Sequence, residues 1–253
     1  MFGVSVLTQI IAHRGASEIA PENTLPAFEL ANRLGAESIE TDIHLTKDHI
    51  PILIHDERLE RTTNGKGFVK DYTFAELKQL DAGAWFSKAY KQTQLISLAE
   101  FLQWIKPKQI NINLELKNEK FRYKHLEEIV YEQIEHYGVE KRTIISTFNP
   151  ESIKHMATLN KGIPLALLRS KKHRRLCAYA LELGAESLHI NYRLLNESLI
   201  RQCQDKHIKV RVYTVNKYEQ MIRCFQLGCH GIITDIPGKA LYYRKGFILN
   251  HLF

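Results

Sequence analysis

Long apolar runs are missing from this chain. No stretch of 18 consecutive apolar residues occurs, so a transmembrane helix is not expected. Met1 to Gln9 carries neither a basic segment nor a long apolar core, which argues against a signal peptide. Cysteine is sparse, and Cys177, Cys203, Cys224 and Cys229 form no C-x-x-C pair and no zinc spacing. They read as reduced thiols, so a cytoplasmic location is expected. Basic stretches interleaved with aromatics, the pattern of single-strand binders, are also lacking, so nucleic acid is not an expected partner.

What is present points to a catalyst. A chain of 253 residues with 44% hydrophobic content suits one large α/β domain over 1–253 better than two small ones. The net charge of +7 favours anionic partners, including phosphorylated small molecules or lipid headgroups. The strongest basic run is Arg169, Lys171, Lys172, Arg174 and Arg175. It reads as a solvated helix start, with a rim attracting phosphate or anionic membrane as the alternative. One basic segment without an apolar wedge binds weakly at physiological salt, so no stable membrane association is expected.

Four short motifs place acids, bases and cations where strands are expected to end: His13-Arg14-Gly15, Glu40-Thr41-Asp42, His55-Asp56 and Glu115-Leu116-Lys117. The residues before each are apolar and strand-like. Strand patterns fall at 9–13, 37–43, 51–55, 110–116, 142–147, 163–168, 186–190, 208–215 and 231–234. Helical spacing lies between most of them, starting at Leu25 and Leu98 and covering Tyr123–Tyr137, Leu176–Leu183, Leu195–Cys203 and Met221–Leu227. Repeated β-α units imply a parallel sheet with helices outside. Nine strands are one too many for an eight-stranded barrel. Residues 46–50 are too short for a parallel crossover. The expectation is therefore a TIM (β/α)8 barrel with 51–55 returning antiparallel as a β-hairpin arm. Its site belongs at the C-terminal strand ends. Residues 57–97 form a small insertion between the second and third barrel strands, longer than an ordinary loop. Trp85, Phe86 and Tyr90 within it are expected to pack the insertion onto the barrel, or else to form an aromatic lip.

Glu40 and Asp42 sit two apart on a strand and face one side; Glu115 and Lys117 repeat that geometry. Three carboxylates give all-oxygen ligation, which suits one divalent cation, Mg2+ or Ca2+. His13 and His55 end apolar strands beside this cluster, and imidazole serves as acid or base near neutral pH. Arg14 and Lys117 are the expected phosphate grips, one a planar fork and the other a point charge. Asp56 should point away from His55 if the strand is regular. The helix opening at Leu25 is expected to be capped near Asn23 or Thr24, with Glu22 and Asn23 building the loop before it.

The motifs, in order and spacing, resemble the glycerophosphodiester phosphodiesterase family. The resemblance runs through His13-Arg14-Gly15-Ala16-Ser17, Pro21-Glu22-Asn23-Thr24, Gly35 to Asp42, His55-Asp56, Arg61 to Gly67 and Leu80 to Phe86, and reaches Gly231 to Asp235. It implies metal ligation by Glu40, Asp42 and Glu115, and proton transfer by His13 and His55. It further implies hydrolysis of a small-molecule glycerophosphodiester such as glycerophosphocholine or glycerophosphoethanolamine to glycerol 3-phosphate and an alcohol. The glycerol 2-hydroxyl would attack phosphorus first. Ser146-Thr147-Phe148-Asn149 departs from the family's Ser-Phe-Asp/Asn by one inserted residue. Tyr213-Thr214-Val215-Asn216 has tyrosine for tryptophan; the resemblance implies a substrate-binding position at Tyr213 and leaves the alcohol specificity open. Three rivals stand beside this reading: a lysophospholipase D, a non-catalytic binding barrel and a metal-dependent sugar isomerase or enolase-like barrel. The first would show a wider apolar cleft near Trp85 and Phe86. The sequence leaves the oligomeric state open.

Overall fold

The structure, a computed structural model, describes residues 7–159 and 162–251. Most of Met1–Gln9, the segment that argues against a leader, lies outside them. Nine strands are present among the described residues: β1 Gln9–His13, β2 Ser38–Leu45, β3 Pro51–Leu53, β4 Asn111–Leu116, β5 Thr143–Thr147, β6 Leu165–Arg169, β7 Ser187–Asn191, β8 Lys209–Tyr213 and β9 Gly231–Thr234. Eight are parallel neighbours in the order β1-β9-β8-β7-β6-β5-β4-β2, and pairing of β1 with β2 closes the ring. This is a TIM barrel. β3 stands outside the ring and pairs antiparallel with β2, Ile43 opposite Leu53 and Leu45 opposite Pro51. The hairpin arm read from the short 46–50 turn is therefore present.

The helices are α1 Leu25–Arg33, α2 Phe74–Leu77, α3 Leu98–Ile105, α4 Leu126–Tyr137, α5 Pro150–Leu159, α6 Leu176–Glu182, α7 Glu197–Asp205, α8 Tyr218–Gln226 and α9 Pro237–His251. Local chemistry sets several of their ends. Ser97 and Glu100 form a reciprocal capping box on α3, as do Thr73 and Glu76 on α2. Gly138 closes α4 in the left-handed conformation. α2, α5 and α9 have no counterpart in the helical spacings read from the sequence. α9 mixes Tyr242, Tyr243, Arg244 and Lys245 around its circumference, so it shows no clean apolar stripe. α4 starts three residues later than its pattern, because His125 takes a positive φ of 61°.

The main core lies between the strands and the helix layer, with Phe28, Phe101, Ile39, Leu114 and Val212 fully buried. A second cluster, Ile52, Ile54, Leu59, Val69, Leu77 and Leu95, lies where the 57–97 segment meets β3. The charged run at 169–175 is exposed from Lys171 onward and leads into α6.

Candidate active site

The chain turns sharply after β1. Arg14 and Gly15 both take positive φ, 56° and 87°, and a side chain at Gly15 would stand 2.6 Å from the Ala27 backbone. That turn brings the Arg14 amide to the Glu40 carboxylate at 3.0 Å and its carbonyl at 2.9 Å. The Arg14 guanidinium then reaches Glu22 at 2.9 Å and Asp42 at 3.0 Å.

Glu40, Asp42 and Glu115 offer carboxylate oxygens that all lie within 4.8 Å of one another, and all three residues are buried or nearly so. Register explains the meeting: Asp42 of β2 lies opposite Glu115 of β4. Lys117 donates to Glu115 at 2.7 Å and stands 3.7 Å from Asp42. Asn23 donates to Asp42 at 2.9 Å and accepts from Thr41 at 2.7 Å. Among the described residues nothing donates to Glu40 Oε1 or Asp42 Oδ1. Burial pushes Glu40 well above the carboxylate range, and the charges of Asp42 and Glu115 push it further. Burial also raises Glu115, against the pull of Lys117. Asp42 goes the other way. Arg14 and Lys117 outweigh its burial and hold it below the usual range. Buried acceptors without donors, in an all-oxygen set, fit a hard divalent cation.

The two histidines each have a carboxylate behind them. His13 Nδ1 donates to Asp235 Oδ1 at 2.6 Å, and His55 Nδ1 to Asp56 Oδ1 at 2.5 Å. An ionised carboxylate only accepts, so each ring keeps a proton on Nδ1 and leaves Nε2 as the atom that takes up or gives a proton, a lone pair on the neutral ring and a donor on the imidazolium. Asp235 also receives Ser17 and Asn216. Its pKa falls to about 2 because those bonds and the one from His13 outweigh burial. Asp56 likewise sits at about 2, where Arg61 and His55 outweigh burial. Arg61 grips Asp56 at 2.6 Å and Glu22 at 2.7 Å. Glu22 is thus shared between Arg61 and Arg14, and one chain of ion pairs runs from His55 to Arg14.

His13, Arg14, Glu40, His55, Glu115, Lys117 and Tyr213 all line one cavity of about 220 Å³ at the barrel mouth, and Phe148 and Asn191 close its far wall. Asp42, fully buried, does not itself line the cavity but stands beside Glu40 and Glu115. Tyr213 meets Phe148 edge to face at 6.0 Å, and among the described residues its hydroxyl has no hydrogen-bond partner. Trp85 and Phe86 are not on this wall; they pack on each other and on Tyr90, whose hydroxyl donates to the Ile19 carbonyl.

Comparison with known proteins decides the family. The model of the Glycerophosphoryl diester phosphodiesterase family matches residues 13–239. The chain belongs to this family. A glycerophosphodiester phosphodiesterase from Caldanaerobacter subterraneus subsp. tengcongensis is 39% identical over 240 residues, 94% of this chain and 99% of that one. The uncharacterized protein YqiK of Bacillus subtilis is 42% identical over 236 residues, 92% of this chain and 97% of that one. A solved phosphodiesterase from Oleispira antarctica, in complex with the product sn-glycerol-3-phosphate, superposes with a TM-score of 0.88. It is 30% identical and covers 94% of this chain and 97% of its own. The protein is accordingly an enzyme of the glycerophosphodiester phosphodiesterase family.

Two expectations are corrected by the geometry. Asp56 points toward His55, because β3 ends at Leu53 and strand alternation no longer holds at 55–56. Of the two cap positions expected for α1, Thr24 holds it, without a side-chain bond, and Asn23 does not, and Glu22 takes no part. Glu22 and Asn23 instead reach into the site. Asp235 went unassigned, although a carboxylate at the end of β9 carries the same signal as those on β2 and β4.

Proposed function

We propose that this protein hydrolyses glycerophosphodiesters to glycerol 3-phosphate and an alcohol, with Glu40, Asp42 and Glu115 holding one divalent cation, Mg2+ or Ca2+. The observation that carries the reading is the convergence on one cavity of three buried carboxylates, two cations and two carboxylate-backed histidines. A bound cation would neutralise charge on the phosphoryl oxygens and act as a Lewis acid. Arg14 and Lys117 bind the remaining phosphate oxygens and stabilise the charge that builds at phosphorus. One histidine takes the proton of the glycerol 2-hydroxyl through Nε2 as its oxygen attacks phosphorus. The bond from phosphorus to the alcohol oxygen breaks, and the other histidine, entering the step as the imidazolium, gives its Nε2 proton to that oxygen. Water then opens the cyclic phosphate with the two roles exchanged. Asp56 and Asp235 fix the tautomers that make this exchange workable. The glycerol 3-phosphate held by the Oleispira relative supports the same product here. Incubation with glycerophosphocholine and Mg2+ or Ca2+ should release glycerol 3-phosphate and choline in equal amounts. Release of phosphocholine and glycerol would put the cleavage at the wrong bond and contradict the reading.

One observation favours a second reading, a lysophospholipase D. An apolar groove of about 460 Å³ lies beside Asp235, lined by Ile19, Leu34, Ile236, Tyr242 and Tyr243 among others. The smaller, mostly polar catalytic cavity favours the water-soluble substrate.

A further inference from the structure

A larger cavity on the same face of the barrel holds none of the carboxylates and histidines of the catalytic site. It measures about 700 Å³ and opens between the residues that follow β6 and those that follow β7. Lys172, His173, Arg174 and Arg193 line it, and no carboxylate does. The acids nearest in sequence are occupied: Glu182 pairs with Arg175 at 2.9 Å and Glu197 with Arg201 at 3.2 Å. Among the described residues Lys172, Arg174 and Arg193 make no ion pair, so their charge is uncompensated.

The two cavities are linked by a hydrogen-bonded pair, Asn191 and Arg193. Asn191, the last residue of β7, lines the catalytic cavity, and its side-chain oxygen accepts Arg193 Nε at 3.2 Å and Arg193 N at 3.1 Å. Arg193 itself lines the basic cavity, and its charge is felt at the Tyr213 hydroxyl. Strand order places β7 across the barrel from β1 and β2, where Arg14 and Glu40 stand. A diester whose phosphate is held on the β1–β4 side must send one arm toward Phe148, Asn191 and Tyr213. An arm too long for about 220 Å³ leaves past Asn191 into the basic cavity.

We infer that this basic cavity is a second anion subsite, and that the preferred substrates carry a further negative group, such as a phosphomonoester, on the alcohol arm of the diester. The inference rests on the phosphodiesterase reading above and names its substrate class. A concave surface joined to the catalytic wall fits a small anionic arm better than it fits a membrane plane.

The test compares glycerophosphoinositol 4-phosphate with glycerophosphoinositol, two diesters that differ by one phosphate, on the metal-loaded enzyme. kcat/KM should favour the phosphorylated substrate by about three- to tenfold at low salt, the scale of two or three exposed ion pairs. The preference should reside in KM and shrink toward one between about 0.05 and about 0.5 M salt. Lys172→Gln with Arg174→Gln should bring the ratio close to one, and Lys172→Glu with Arg174→Glu should take it below one. A wild-type ratio of one, or a ratio that survives both double variants, would overturn the inference and leave the phosphodiesterase reading standing. Failure to turn over either diester would remove both. A ratio of one, together with charge-dependent binding to vesicles containing phosphatidylglycerol, would assign the cavity to a membrane surface and equally overturn it.

Discussion

At the scale of single residues, the account rests on what stands behind each catalytic candidate. His13→Ala or His55→Ala should lower kcat by at least about 10²-fold, the usual scale of positioned proton transfer. The fold should survive, because both rings lie at the barrel mouth; near wild-type turnover would show the roles misassigned. Asp235→Asn is the finer probe. It keeps the shape but lets the amide donate to the His13 ring, which disfavours the Nδ1–H tautomer. It should lower kcat with little change in KM and alter the pH–rate profile; a change confined to KM would argue for a merely structural carboxylate. These residues were legible in the sequence to different degrees. Glu40, Asp42, Glu115, His13 and His55 stood out because each ends an apolar run. Asp56 was misread because alternation fails once β3 stops at Leu53. Glu22 was misread because its partners, Arg14 and Arg61, lie 8 and 39 residues away and meet only through the fold.

At the scale of elements, alternation and turn length carried most of the barrel. Thr46 to Ile50 was too short for a crossover, and β3 does return antiparallel on β2. α9 was not legible, because its apolar residues make no single stripe. One strand carries a testable cost. His189 of β7 is wholly buried, and neither ring nitrogen finds a partner among the described residues. Burial, and then the charge of Arg211, depress its pKa well below the ordinary value. The folded protein therefore keeps His189 neutral while the unfolded chain takes up a proton below about pH 6.5. Stability should fall as pH drops through that region. His189→Leu should flatten the dependence by up to about 1.4 kcal/mol per pH unit, as urea unfolding between pH 7 and pH 5 would reveal. An unchanged slope would mean that His189 is protonated in the native state.

At the scale of the whole molecule, no described helix is long and apolar enough to cross a membrane. The catalytic cavity is compact and polar, and Trp85 and Phe86 stand away from it. We expect kcat/KM for glycerophosphocholine to exceed that for lysophosphatidylcholine, with little sedimentation on neutral vesicles. Faster turnover of the acylated lipid would instead promote the groove at Ile19 and Tyr242 to an acyl site. The family and the architecture were legible because separate motifs agree in order from His13 to Asp235. The basic cavity was legible only in part: the run at 169–175 offered a phosphate rim as its alternative reading, but Arg193 joins Lys172 and Arg174 only through the closed barrel. The central claim is that the Glu40, Asp42 and Glu115 cluster is a metal centre required for phosphodiester hydrolysis. The most direct measurement is release of glycerol 3-phosphate from glycerophosphocholine by exhaustively chelated protein, before and after Mg2+ or Ca2+ is returned. The account predicts no turnover without metal, recovery with it, and no recovery in Glu40→Gln or Glu115→Gln. Full activity in the chelated enzyme would contradict it.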